Sequence, residues 1–137
     1  MRVPAFAALL TDAGQEVLAG VDPRADRLSV ASHLRDDPRV TALAPDLPVS
    51  DLVNAILTQV DLRERGRAKF GGRSQEMYFT PDGLEQSTRR VVAGYRADRT
   101  AAVADGRPAG DLCCGIGADL LALAERGVSV EGVDATR

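Results

Sequence analysis

A glycine-containing segment with an acidic residue on each side is the part of this chain whose residue types could do chemistry. Asp111 precedes Gly115 and Gly117, and Asp134 follows further along the chain. Glycines allow backbone N–H groups to approach a ligand without interference from a Cβ atom. An acid at the end of the following strand can accept hydrogen bonds from both hydroxyls of a ribose. The segment is therefore typical of a nucleoside-binding loop.

The pattern around this segment is strand, loop, helix, strand. We predict β-strands over residues 111–114 and 128–133, with a helix over residues 118–126 between them. Leu120, Leu123 and Ala124 form the inward face of that helix, and Gly127 ends it. A β-α-β unit of this kind requires a parallel sheet.

The preceding residues read as helical, and Asp105-Gly106 with Pro108 marks a boundary. We therefore predict an α/β protein in which a helical N-terminal region, residues 1–104, precedes the first β-α-β unit of a Rossmann-like domain, residues 105–137. The predicted helical signals include capping residues at Thr11, Ser50 and Thr80, the last followed by Pro81 at the first helical position, and a helix that ends at Pro38.

Charge distinguishes two possible nucleoside ligands of the loop. A dinucleotide fingerprint has glycines at its first, third and sixth positions, but counting from Gly115 the sixth position is Leu120. Asp111 would also face a pyrophosphate that is already negative. S-adenosylmethionine has no phosphate and carries an ammonium and a sulfonium, which an acid attracts. The charges favour S-adenosylmethionine.

The sequence Asp-Leu-Cys-Cys-Gly-Ile-Gly at residues 111–117 resembles motif I of class I S-adenosylmethionine-dependent methyltransferases, and Gly-Val-Asp at 132–134 resembles their second motif. The resemblance implies that Asp111 lies near the methionine end, that Gly115 and Gly117 line the loop, and that Asp134 holds the ribose. Cys113 stands where the common motif has glycine, a departure found in a subgroup similar to trimethylguanosine synthase.

A second segment extends the resemblance upstream. Phe79-Thr80-Pro81 resembles the Thr-Pro segment that this subgroup folds over its cofactor. Together with Lys69-Phe70 and Glu85-Gln86, the order of motifs is most similar to a bacterial group of methyltransferases with a THUMP-like C-terminal domain. Candidate cofactor-binding residues are thus Asp111, Cys113, Gly115, Gly117, Asp134, Phe79 and Thr80.

The resemblance also implies RNA as the methyl acceptor. A basic segment could contact its phosphates, and it contains Arg63, Arg65, Arg67, Lys69 and Arg73. The alternative interpretation of the same segment is an ordinary solvated helix face. The net charge of −3 gives no overall attraction to nucleic acid.

Composition limits the remaining classes. Hydrophobic residues at 45% and charged residues at 27% are typical of a globular protein, and no apolar run is long enough to span a membrane. The two cysteines are adjacent, so we expect reduced thiols, a cytoplasmic location and no zinc site.

The catalytic residues cannot be assigned, because nothing in the chain resembles the Asn/Asp-Pro-Pro motif that follows the fourth strand of this family. We therefore expect these residues to be part of a longer protein, and expect little activity from them alone. Two other readings stay open: a non-catalytic helical adaptor or remnant, and a nicotinamide dinucleotide-binding unit.

Overall fold

The computed structural model describes residues 3–135, and it shows a mostly helical chain with one small parallel sheet. The α/β class is confirmed at this level. The helices are α1 (Val3–Ala8), α2 (Asp12–Ala19), α3 (Arg27–Asp36), α4 (Pro38–Leu43), α5 (Val49–Phe70), α6 (Pro81–Gln86), α7 (Arg90–Ala104) and α8 (Ala118–Ala124), with a 3₁₀ turn at Gly71–Gln75 and strands β1 (Ala109–Leu112) and β2 (Val130–Val133).

The chain divides into two compact units, Met1–Arg65 and Gly66–Arg137, so the division lies within α5. In the second unit, α7 packs against α8. The predicted domain boundary after residue 104 stays a prediction, and the outer ends of the two predicted domains, residues 1–2 and 136–137, lie outside the described residues.

The first unit forms a helical core from α1 to α4 and most of α5. Leu9, Val40, Leu52 and Ile56 are completely buried in it. The predicted cap at Thr11 is confirmed, since its hydroxyl accepts a hydrogen bond from the Gly14 N–H at 3.1 Å. Local capping chemistry therefore sets the start of α2.

One predicted helix end in this unit is confirmed and one predicted helix start is wrong. α3 ends at Asp36, before Pro38 as predicted, and Pro38 then begins α4, because Asp37 accepts a hydrogen bond from the Arg39 N–H at 2.9 Å and proline is tolerated in a first turn. Ser50 does not cap α5, because the helix already includes Val49. Asp37 therefore follows the end of α3 and caps the start of α4.

The second unit contains the predicted β-α-β arrangement. β1 and β2 are parallel, with Ala109 opposite Val130 and Leu112 opposite Val133. The first strand ends two residues before the predicted end, so both cysteines lie in the loop after it. Small side chains allow α7 and α8 to pack closely, and the buried cluster consists of Ala93, Ala97, Ala122 and Leu123.

The segment before α6 is anchored by an aromatic side chain. Phe79 is 1% exposed, and its ring centroid lies 5.5 Å from that of Phe70. A Cβ atom on Gly66 would lie 3.0 Å from Cε2 and Cζ of Phe79, so this glycine, unfavourable within α5 on helix propensity, makes room for the ring. Thr80 caps α6 as predicted, accepting a hydrogen bond from the Gly83 N–H at 3.1 Å.

Candidate functional site

The loop after β1 turns sharply through three residues with left-handed backbone conformation. The φ angles are +68° at Cys113, +55° at Gly115 and +81° at Gly117. The N–H groups of Cys113 and Cys114 both donate to the Val133 carbonyl, at 2.7 and 3.1 Å. The loop is thereby fixed to the end of β2, and two of its three left-handed positions carry no side chain.

Asp134 closes this loop from the other strand. Its Oδ2 atom accepts a hydrogen bond from the Gly115 N–H at 2.5 Å, so the acid that follows β2 contacts the glycine that follows β1. Asp134 is exposed. This hydrogen bond stabilises the loop, so Asp134 has a structural role in addition to any role in ligand binding.

Asp111 lies at the carboxyl end of β1 beside two other carboxylates. Burial raises the pKa of Asp111 above its ordinary value, and the negative charges of Asp119 and Asp134 raise it further, while Arg96 opposes them. A positive ligand group here would relieve this repulsion.

Asp119, in the first turn of α8, was not recognised as a site residue from the sequence. Its Oδ2 atom accepts hydrogen bonds from the Thr88 hydroxyl at 2.6 Å and from Arg96 Nη1 at 3.2 Å. Its Oδ1 atom is buried and has no hydrogen-bond partner within residues 3–135. A buried carboxylate oxygen normally has a partner, so this atom is an unsatisfied hydrogen-bond acceptor beside the loop.

These groups surround one cleft with a volume of about 380 Å³. One side is formed by the loop after β1 and by Asp134, and the other by α6 and the residues that follow it. The lining residues are Gly83, Gln86, Ser87, Thr88, Asp111, Cys113, Cys114, Gly115, Ile116, Ala118, Asp119 and Asp134. Among the described residues that line it, three are acidic and none is basic.

The α6 side of the cleft is held in place by Lys69, near the end of α5. Its Nζ atom donates to the carbonyl oxygens of Leu84, Glu85 and Ser87 at 2.5, 3.0 and 2.8 Å. The last carbonyls of a helix have no partners within the helix, and an ammonium with three donors satisfies them. Lys69 therefore positions the segment that contributes Gln86, Ser87 and Thr88 to the cleft.

The seven candidate cofactor-binding residues fall into two groups. Asp111, Cys113, Gly115 and Asp134 line the cleft. Gly117 is buried and precedes α8, Phe79 is buried in the core, and Thr80 caps α6; none of the three is among the lining residues. Their predicted contact with a cofactor stays a prediction, whereas their structural contributions are evident.

The predicted phosphate contacts of the basic segment mostly have protein partners. In the first unit, Arg63 is 4% exposed and donates to Gln15 at 3.1 Å, and Arg65 lies 3.8 Å from Asp61. In the second, Arg73 lies 3.5 Å from Glu125, and Lys69 binds carbonyls as described. Contact of this segment with RNA stays a prediction, but the segment is not an uncommitted basic surface.

The left-handed conformation of Cys113 gives a first testable prediction. A residue with a Cβ atom in this conformation costs about 1–2 kcal/mol, which glycine avoids. We expect Cys113→Gly to raise the free energy of unfolding by about 1 kcal/mol in urea titrations. Cys114→Gly is the matched control and should lower it, because Cys114 has no positive φ to relieve and its side chain lies beside Gly132. Equal effects of the two changes would contradict the strain argument.

A family model matches a part of the chain that does not include the cleft. Residues 2–66 match a domain of unknown function, DUF8688. The DUF8688 match coincides closely with the first compact unit, whereas every lining residue of the cleft belongs to the second. No curated protein and no solved structure is significantly similar to the chain.

Two further properties concern the described chain as a whole. None of the helices between residues 3 and 135 is long and apolar enough to cross a membrane. Within the same residues, no group of three or more His, Cys, Asp or Glu side chains could hold a metal ion. The cytoplasmic location stays a prediction.

Proposed function

We propose that the second unit binds S-adenosylmethionine and is the cofactor-binding part of a Rossmann-like methyltransferase. The observation that carries this proposal is the charge of the cleft: Asp111, Asp119 and Asp134 line it, and no basic side chain of the described residues does. Carboxylates gathered around a bare backbone loop favour a ligand with positive charge and no phosphate.

Separate chemical groups of S-adenosylmethionine fit separate residues of the cleft. Its ammonium can pair with Asp111 and is attracted by the charge of Asp119. Its ribose hydroxyls can donate to Asp134, and the cleft of about 380 Å³ lies in the range of roughly 300–1,000 Å³ for small-molecule sites. When bound, the cofactor supplies an electrophilic methyl group on its sulfonium; the residues named here bind and orient it.

The nicotinamide alternative is less well supported by the same charges. A pyrophosphate would lie among three carboxylates with no lining cation to offset the repulsion. That the acceptor is RNA is a part of the proposal that rests on the resemblance of residues 69–86 and 111–134 to the methyltransferase group and on the basic segment at residues 63–73. That the protein acts in the cytoplasm rests on its adjacent cysteines, which are expected to be reduced.

Calorimetry with S-adenosylmethionine tests the proposal. We expect saturable heat with the wild-type chain, and a dissociation constant raised by about 10- to 100-fold in Asp111→Asn and in Asp134→Asn, because each change removes a charged hydrogen-bond acceptor. Asp82→Asn is the matched control: it removes the same charge from the first turn of α6, at an exposed residue that does not itself line the cleft, and should bind as the wild type does.

The pH dependence of the binding affinity provides a second test of the proposal in the same titrations. Because the pKa of Asp111 is raised, a fraction of its carboxyl groups gains a proton at a pH above the ordinary aspartate range, and the protonated group no longer attracts an ammonium. Affinity should therefore fall as the pH is lowered through this region, and Asp111→Asn should flatten that fall. A wild-type chain that gives no saturable heat at any pH contradicts the proposal and favours the non-catalytic reading.

A further inference from the structure

A second cavity in the second unit has the opposite charge to the cleft. It encloses about 160 Å³, and among its lining residues are four basic side chains and one carboxylate. The charged residues are Lys69, Arg73, Arg90, Arg126 and Glu125. In a chain with a net charge of −3, this is a local excess of positive charge inside a concave surface.

The one carboxylate in this cavity is shared. Glu125 Oε1 lies 3.5 Å from Arg73 Nη2, and Glu125 Oε2 lies 3.8 Å from Arg126 Nη1. Both separations exceed an ordinary charged hydrogen bond, and Glu125 is half exposed, so each pair is weak. Arg126 makes its shorter contact, 2.8 Å, with Asp98 outside the lining. Glu125 alone does not neutralise the guanidinium groups around the cavity.

Arg90 is the uncommitted cation of the cavity. Its guanidinium forms no hydrogen bond or ion pair with any other residue between positions 3 and 135. It belongs to the first turn of α7, which contains no acidic residue. Lys69, by contrast, has its ammonium engaged with three carbonyls, so its charge contributes to the cavity while its donors do not.

We propose that this cavity, which we call the arginine pocket, binds one phosphate group of a larger ligand through Arg90, with Arg73 and Arg126 beside it. The planar guanidinium presents paired N–H donors that fit two phosphate oxygens. A volume of about 160 Å³ is below the roughly 300 Å³ of sites that hold whole small molecules, so the rest of the ligand lies outside the pocket.

The position of the arginine pocket places this phosphate close to the acidic cleft. Thr88 and Ala118 line both cavities, so they form a common wall. A phosphate bound in the arginine pocket would therefore lie across this wall from the cleft. The shared chemistry is a phosphate group, whose source is either a mononucleotide or the backbone of an RNA strand.

The test uses the whole chain labelled with ¹⁵N and three probes: inorganic phosphate, adenosine monophosphate and a 12-nucleotide single-stranded RNA. We expect each to shift amide signals of Arg90, Gly94 and Glu125 in the wild type. If RNA shifts them at a lower phosphate concentration than the mononucleotide does, the source is a polynucleotide; the reverse order identifies a free nucleotide. None of the three probes contains S-adenosylmethionine, so the result is independent of the proposed function.

Variants show whether the pocket itself is responsible. Arg90→Gln should raise the dissociation constant of the better probe about tenfold, because a charged hydrogen-bond donor is lost, while Arg90→Lys retains part of the affinity. Arg89→Gln is the matched control, since the neighbouring arginine does not line the pocket, and should change affinity less than twofold. The proposal is overturned if no probe shifts these signals, or if Arg89→Gln weakens binding as much as Arg90→Gln does.

Discussion

Replacement of Phe79 by alanine is expected to lower the free energy of unfolding of the second unit by about 3–5 kcal/mol. The side chain is 1% exposed and packs against Phe70 on one side and against the backbone of Gly66 on another. Its loss would leave a cavity where α5 meets the segment before α6. Urea titration followed by circular dichroism measures the change.

An exposed aromatic residue provides the control for this substitution. Tyr95 is 60% exposed on α7, so Tyr95→Ala should cost about 1 kcal/mol or less. Phe79→Leu distinguishes a role of Phe79 in core packing from a role in cofactor binding, because leucine retains most of the packing but has no aromatic face. If Phe79 contacts the cofactor as the resemblance implies, this milder variant weakens binding; if it serves the core alone, affinity is unchanged. A cost below about 1 kcal/mol for Phe79→Ala would contradict its structural part.

Replacement of Lys69 by methionine is expected to be the second most disruptive change, at about 2–4 kcal/mol. Methionine keeps the length of the side chain and its apolar stem, but it leaves the carbonyls of Leu84, Glu85 and Ser87 without their shared donor. Those carbonyls end α6, so the loss should loosen this segment first. Hydrogen exchange read by mass spectrometry should show faster exchange over residues 84–88 before the rest of the unit is affected.

Arg89→Met is the matched control for this change, because it removes one positive charge and substitutes the same side chain at an exposed position. It should alter stability by no more than about 0.5 kcal/mol. Lys69→Arg should restore only part of the loss, since a planar guanidinium cannot direct donors to three carbonyls as an ammonium does. Unchanged exchange over residues 84–88 in Lys69→Met would show that Lys69 does not hold this side of the cleft.

Local sequence signals predicted much of the second unit correctly. Thr80 followed by Pro81 specifies a helix start by chemistry confined to four residues, and α6 begins there. The strand-loop-helix-strand pattern was also sufficient, because parallel pairing follows from the helical crossover. The helix that begins at Pro38 was not predicted, because Asp37 can end one helix and cap the next, and the pattern alone does not show that a second helix follows.

The same local signals predicted only part of the candidate site. Asp111, Gly115 and Asp134 meet because parallel strands present their carboxyl ends at one edge, and the strand-loop-helix-strand pattern predicts that edge. The partnership of Thr88 with Asp119 joins residues 31 positions apart, and that of Lys69 with the end of α6 spans up to 18. No periodicity or spacing in the chain specifies such pairs, because they depend on how α6, α7 and α8 pack.

The engagement of Lys69 has a consequence for covalent modification. It is the only lysine in the sequence, and its Nζ atom donates hydrogen bonds to three carbonyl oxygens. Acylating reagents and acetyl-transferring enzymes require a free, unprotonated amine at the surface. Side-chain acetylation of this chain therefore requires α6 to detach first, which makes such a modification a marker of an opened second unit.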